Sequence, residues 1–179
     1  MKFEEWKTKY KDRPFEIIWT DQDQSAWATI ESTEIQGDSV LYLGLCHQDT
    51  DYDSSRSIEW FDDLGRSTGK VAGRIGMITA SRTTWGTRKL WLEVDATFLN
   101  RKFRGKGYGF LMYDLLLKYS LQLPVFGIVS DIRRQQNEKQ IPAIYERMGG
   151  FTRGDFAYIL NKNYEKNELI YVKESCNGS

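Results

Sequence analysis

The stretch Arg101-Lys102-Phe103-Arg104-Gly105-Lys106-Gly107-Tyr108-Gly109 decides how the rest of the chain is laid out. Three alternate glycines stand where an extended segment gives way to a helical one. Inside a helix each would cost about 1 kcal/mol relative to alanine. At a helix start they let the backbone approach a ligand and turn its N–H groups outward. Four cations, Arg101, Lys102, Arg104 and Lys106, share the same few residues. Positive charge is mildly unfavourable at the positive end of a helix, a cost that a bound anion would offset. Backbone amides, the helix dipole and Arg104 and Lys106 together make a phosphate site the expected use of this turn. The bland alternative is a solvated basic turn with a glycine-rich cap. Other phosphate motifs fit less well. Gly65-Arg66-Ser67-Thr68-Gly69-Lys70-Val71 is one residue short of a P-loop and lacks its hydroxyl, and the glycines of the turn run G-x-G-x-G rather than G-x-G-x-x-G.

Upstream of the turn, Leu90 to Leu99 is apolar and β-branched and predicts a long strand. Downstream, Tyr108, Leu111, Met112, Leu115, Leu116 and Tyr119 fall on one face of a helix. Val125 to Val129 predicts a short buried strand, and Ile141, Ile144, Tyr145 and Met148 a second helical stripe, closed by Gly149-Gly150. Phe156 to Leu160 and Leu169 to Val172 read as strands. Toward the N-terminus, Phe3, Trp6 and Tyr10 share a face of a short helix. Strands follow at 15–19, 26–30, 40–45 and 71–80, with a turn near Gly37-Asp38 and a polar loop at 48–57 that leads to Ile58-Glu59-Trp60-Phe61. Antiparallel-type strands followed by a strand–helix–strand–helix–strand run predict one α/β domain over residues 1–179, α+β-like, with a mixed and mostly antiparallel sheet flanked by helices.

Composition narrows the function. Lys+Arg and Asp+Glu both number 25 in 179 residues, a balance that argues against a general nucleic-acid binder. The two cysteines, Cys46 and Cys176, and the single histidine, His47, are too few and too scattered for a disulfide framework or a zinc cage, so no metal is expected. Asp49-Thr50-Asp51-Tyr52-Asp53 begins like a calcium loop, then puts Ser54 at the turn glycine and Trp60 at the closing acid. The N-terminus has no apolar signal region and no stretch is long enough to span a membrane, so a cytoplasmic protein is expected.

Arg104-x-x-Gly107-x-Gly109, after a strand and opening a helix, resembles the Q/R-x-x-G-x-G/A motif of the GNAT N-acetyltransferase superfamily. Ile141-Pro142-Ala143-Ile144-Tyr145-Glu146-Arg147-Met148-Gly149-Gly150-Phe151 is similar to the end of that family's tyrosine-bearing helix, with one extra glycine before Phe151. The resemblance spans residues 68 to 160. It implies acetyl-CoA as co-substrate, with its pyrophosphate on the backbone of Arg104, Gly105, Lys106, Gly107, Tyr108 and Gly109. The pantetheine arm would lie along the backbone near Phe98 and Leu99, between this strand and a splayed parallel neighbour at 125–129. Asn137 stands near, but one residue off, the family's cofactor-side asparagine. Tyr145 is implied as the acid that protonates the departing thiolate, although it equally fits its helix's apolar stripe.

Acyl transfer to an amine also needs a base. Glu93 and Asp95 alternate along the strand before the turn, so both side chains project from one face. Glu93 is the favoured base, directly or through water, and Asp95 the second choice; mutual pairing would raise one carboxyl's proton affinity. Asp49, Asp51, Asp53, Asp62 and Asp63 could attract a cationic acceptor or simply be solvated, and Trp85 could line its cleft. The expected reaction is acetyl transfer from acetyl-CoA to a primary amine, on a small molecule or a protein, by direct attack in a ternary complex. The competing readings are a non-catalytic CoA-binding module and a phosphate or nucleic-acid binder using Arg101, Lys102, Arg104 and Lys106. Monomer and homodimer are both compatible with the sequence.

Overall fold

The computed structural model describes residues 1–12, 15–35, 38–49, 74–84, 89–134 and 139–166. The expected elements at 58–61 and 169–172, the turn at 65–70, Trp85, Asn137, Asp51, Asp53, Asp62, Asp63 and Cys176 lie outside these residues.

In chain order the elements are α1 (Phe3–Lys9), β1 (Glu16–Thr20), β2 (Ala26–Ile35), β3 (Asp38–His47), β4 (Arg74–Thr84), β5 (Leu90–Leu99), α2 (Tyr108–Ser120), β6 (Gly127–Asp131), α3 (Ile141–Arg147), β7 (Phe151–Arg153) and β8 (Phe156–Leu160). The strands form one eight-stranded sheet in the order β1-β2-β3-β4-β5-β6-β8-β7. Every neighbouring pair is antiparallel except β5 and β6. The fold is therefore a mixed α/β arrangement with a large, mostly antiparallel sheet flanked by helices. Among the described residues no helix is long and apolar enough to cross a membrane.

Period-2 patterning explains which helix covers which face. One face carries Ala28, Ile30, Leu41, Leu43, Leu45, Ile78, Leu92, Val94 and Ile128, and packs against Met112, Tyr113, Leu115 and Leu116 of α2 and Ile141 and Tyr145 of α3. Full burial of side chains of this size stabilises by about 1.5–3 kcal/mol each, so this face dominates the stability of the fold. The opposite face carries Trp27 and Cys46, covered by Phe3, Trp6 and Tyr10 of α1, as the helical spacing of those aromatics predicts. Cys46 is a buried free thiol whose ionisation is pushed up to about 11 by burial, against the opposing influence of Arg74; it behaves as a small core residue.

Two features place the site. First, β5 and β6 are in register only at Leu92↔Ile128 and Glu93↔Val129. Beyond that point the parallel strands part. Second, β5 has a bulge: Ala80 faces Val94 and Thr79 faces Ala96, so the backbone register with β4 skips Asp95.

Candidate functional site

The turn after β5 is built by short-range hydrogen bonds. Asn100 N donates to Ile75 O at 2.8 Å, and the Asn100 side chain accepts from Lys102 N at 3.2 Å. Phe103 is buried and fixes the turn to the body of the protein, its ring against His47 at 5.6 Å and Tyr108 at 6.0 Å. Lys102 and Lys106 hold their ammonium groups over the Phe103 ring at 5.8 and 5.7 Å. Gly105 and Gly107 have φ of 75° and 84°, a left-handed conformation that costs other residues roughly 1–2 kcal/mol. Gly107 is the N-cap of α2 and offers no side chain to its amides. Nothing lies within 4 Å of where a Cβ would stand on either glycine.

The consequence is a row of free donors. Amides 102 to 104 are satisfied within the turn, and the next backbone bond is Leu111 N to Gly107 O at 3.1 Å. Among the described residues, the N–H groups of Gly105, Lys106, Gly107, Tyr108, Gly109 and Phe110 meet no acceptor. Helix starts always leave orphan donors, and here two left-handed glycines extend the series.

The three glycines of this row border a cleft of about 680 Å³. One wall is Thr97 and Leu99 of β5, the floor is Arg104, Gly105, Gly107 and Gly109, and the far wall is Lys139, Gln140, Ala143, Ile144 and Arg147 at and on α3. Arg147 lies over the Phe110 ring at 4.1 Å, bridging the two helices. The α3 end is a Schellman close: Gly150 N donates to Tyr145 O at 2.8 Å and Gly149 N to Glu146 O at 3.0 Å. The two glycines do different work. Gly149 has φ of 82°, while a Cβ on Gly150 would lie 2.2 Å from Tyr158 O.

The expected site residues are thus distributed. Leu99, Arg104, Gly105, Gly107 and Gly109 line the cleft. Lys106 and Tyr108 turn their side chains to Phe103 and do not line the cleft. Phe98 is paired with Met77, and alternation sends its side chain to the other sheet face from Leu99.

Tyr145 is completely buried. Its hydroxyl is paired with Ser130 of β6, and its ring meets Tyr113 edge-on at 5.7 Å. Burial holds its ionisation well above the ordinary range, with Tyr113 adding to the effect and Ser130 opposing it. It stands behind the cleft rather than on its wall.

Glu93 is half-buried at the point where β5 and β6 part. Burial raises its carboxyl above the ordinary range; Asp131 adds to that and Arg134 opposes it. The mutual pairing expected of Glu93 and Asp95 is not formed. Asp95, exposed on the bulge, accepts from the Ser81 hydroxyl instead, and the second carboxylate near Glu93 is Asp131, which lies at the end of β6. Asp131 itself is held low, chiefly by Arg133, whose Nε and guanidinium N–H reach its two oxygens at 3.2 and 3.1 Å. Of the acidic loop only Asp49 is described, 3.7 Å from His47 Nδ1.

Sequence reasoning missed Thr97, Tyr113, Lys139, Arg147 and Asp131. Tyr113 is fully buried, with its hydroxyl 2.7 Å from Thr97 Oγ1.

A scan against protein-family models matches none, and a search of curated proteins finds no match. Among solved structures, the chain is similar to a chain of the KacTA–DNA complex, at 14% identity and TM-score 0.43, over 75% of this chain and 74% of that one. It is also similar to a chain of AtaTR bound with AcCoA, at 13% identity and TM-score 0.42, over 74% and 72%. Likeness this slight carries no function; the geometry of the cleft has to.

Proposed function

We propose that this chain is an acyl-CoA-dependent N-acyltransferase that passes an acetyl group from acetyl-CoA to a primary amine within a ternary complex. The observation that carries the reading is the row of unsatisfied amides at residues 105–110, whose glycines 105, 107 and 109 line a cleft that also presents Arg104, Lys139 and Arg147. Such a row, at the positive end of a 13-residue helix, fits a pyrophosphate. The cleft reaches Leu99 and Thr97 on the strand that parts from β6. An elongated anion with a flexible tail suits that shape better than a compact phosphate.

In this reading the amine nitrogen attacks the thioester carbon, the C–S bond breaks, and the thiolate leaves with a proton. Glu93, at the opening between the strands and holding its proton more tightly than an ordinary carboxyl, takes the proton of the amine. Tyr145, whose hydroxyl is hydrogen-bonded to Ser130, supplies the thiolate proton. Holding both substrates together supplies much of the rate. Arg101, Lys102, Arg104 and Lys106 remain exposed, but the amides beside them point to a ligand phosphate rather than to a nucleic-acid surface.

A thermal-shift titration with acetyl-CoA, followed by an amine panel with free-thiol detection, tests the proposal. Stabilisation plus thiol release supports it. No stabilisation by any acyl-CoA removes it. Stabilisation with no thiol release from any amine selects the second reading, a CoA-binding module without catalysis, which the burial of Tyr145 behind the cleft favours.

A further inference from the structure

The pair Thr97–Tyr113 places a side-chain hydroxyl, beside the backbone donors, on the wall of this cleft. Tyr113 is fully buried and its hydroxyl has one hydrogen-bond partner among the described residues, Thr97 Oγ1 at 2.7 Å. A buried phenolic proton with no acceptor is costly, so Tyr113 is the donor and Thr97 the acceptor. The proton of Thr97 then points elsewhere. Thr97 is half-buried, lines the cleft and meets no other acceptor among the described residues. A hydroxyl that accepts one hydrogen bond is polarised to give a stronger one. We infer that Thr97, oriented by Tyr113, donates a hydrogen bond to an amide carbonyl of the pantetheine arm of acyl-CoA.

The depth along β5 selects the amide over the thioester. At about 3.3 Å per residue, Thr97 lies roughly 7 Å from Leu99, beside the phosphate turn, and roughly twice as far from Glu93, where the strands part. That is the middle of the arm. Thr97 therefore touches the ligand away from the reacting carbon, and Tyr113 is a positioning residue that acts through it.

This inference rests on the acyl-CoA reading, and its test separates the two. Wild type, Thr97→Val, Thr97→Ser and Tyr113→Phe are each titrated with CoA and with 3′,5′-ADP, which lacks the arm. Thr97→Val is expected to weaken CoA about fivefold and to leave 3′,5′-ADP unchanged. Thr97→Ser should restore CoA affinity, and Tyr113→Phe should give a smaller loss confined to CoA. In turnover, Thr97→Val should raise KM for acetyl-CoA with kcat kept. CoA binding equal to wild type in Thr97→Val, or parallel loss of both ligands, overturns the inference while leaving the acyl-CoA reading intact. Failure of the wild type to bind either ligand overturns both.

Discussion

Arg104 Nε donates to the carbonyl oxygen of Leu99 at 3.1 Å, which ties the first cation of the cleft floor to the last residue of β5. The bond spends one donor of the guanidinium and orients the others. Arg104→Ala should weaken acetyl-CoA about tenfold or more, in line with hydrogen bonds to charged groups of about 1.5–3 kcal/mol. Arg104→Lys should recover only part of this, because an ammonium cannot bond Leu99 and a phosphate in the same fork geometry. Calorimetric titration at two salt concentrations is the check; affinity unchanged in Arg104→Ala would take the residue out of the site.

Gly107 holds φ at 84° with open space above it, so its replacement is limited by backbone conformation and not by a clash. Gly107→Ala should cost about 1–2 kcal/mol, which for a chain of this size lowers Tm by roughly 2–4 °C per kcal/mol. Gly107→Asn should cost less. Melting curves in the absence of ligand decide it, and an alanine variant as stable as the parent would contradict the left-handed cap.

Tyr145 and Ser130 hold each other's hydroxyl in a fully buried setting. Tyr145→Phe leaves Ser130 unsatisfied and should destabilise by about 1–3 kcal/mol. Adding Ser130→Ala should return part of that loss, because the orphaned group is then removed. If Tyr145 is also the acid, Tyr145→Phe loses turnover while its affinity for CoA is kept. Turnover equal to wild type would confine the residue to packing.

Burial raises the Glu93 carboxyl above its ordinary value, and Asp131 adds to the effect. A base works unprotonated, so turnover should climb as pH rises through this raised value, and Glu93→Gln should abolish that limb. The sign for stability is opposite. A carboxyl held too high binds more protons folded than unfolded, so its contribution declines as pH rises from the unfolded value through the folded one. Glu93→Gln should therefore be at least as stable as wild type near neutral pH. Chemical denaturation at pH 5 and pH 7 distinguishes this from a structural role, in which the variant would be weaker at both.

Asn161 Nδ2 reaches the carbonyls of Ser120, Leu123 and Val125 at 3.0, 3.2 and 2.9 Å, closing the end of α2 onto β6. Asn161→Ala strands these buried acceptors. A loss of about 2 kcal/mol is expected, with Asn161→Asp also destabilised because it supplies no N–H. A denaturation midpoint unchanged from wild type would show that water replaces the amide.

Much of the fold could be read in advance because its patterns are local. Leu90–Leu99 is a strand and Tyr108 opens a helix as their periodicities predict. β6 is displaced, running Gly127–Asp131 where the apolar run at 125–129 is expected. Its polar end, Ser130 and Asp131, is paired with β8 and satisfied by Tyr145 and Arg133. β7 has three residues, all exposed, and no periodicity to mark it. The glycine turn was legible because glycine in series has few other uses. Tyr113 was not, since it lies off the spaced stripe of α2 and is buried through its bond to Thr97. Lys139 and Arg147 look like ordinary surface cations until α3 is set across from the turn. Asp131 displaces Asp95 as the partner of Glu93 because the β5 bulge and the approach of β6 are both non-local.

The parting of β5 from β6 also has a kinetic signature. Strands in the middle of a sheet normally protect their amides on both sides, and only outer strands exchange quickly. Past Glu93 that rule is broken in the centre of an eight-stranded sheet. Between Val94 and Leu99, amides turned to β4 should exchange with deuterium slowly, and those turned to the gap quickly. An exchange map of the free protein would show a fast seam running through slow sheet, and a ligand filling the gap would register as that seam falling silent.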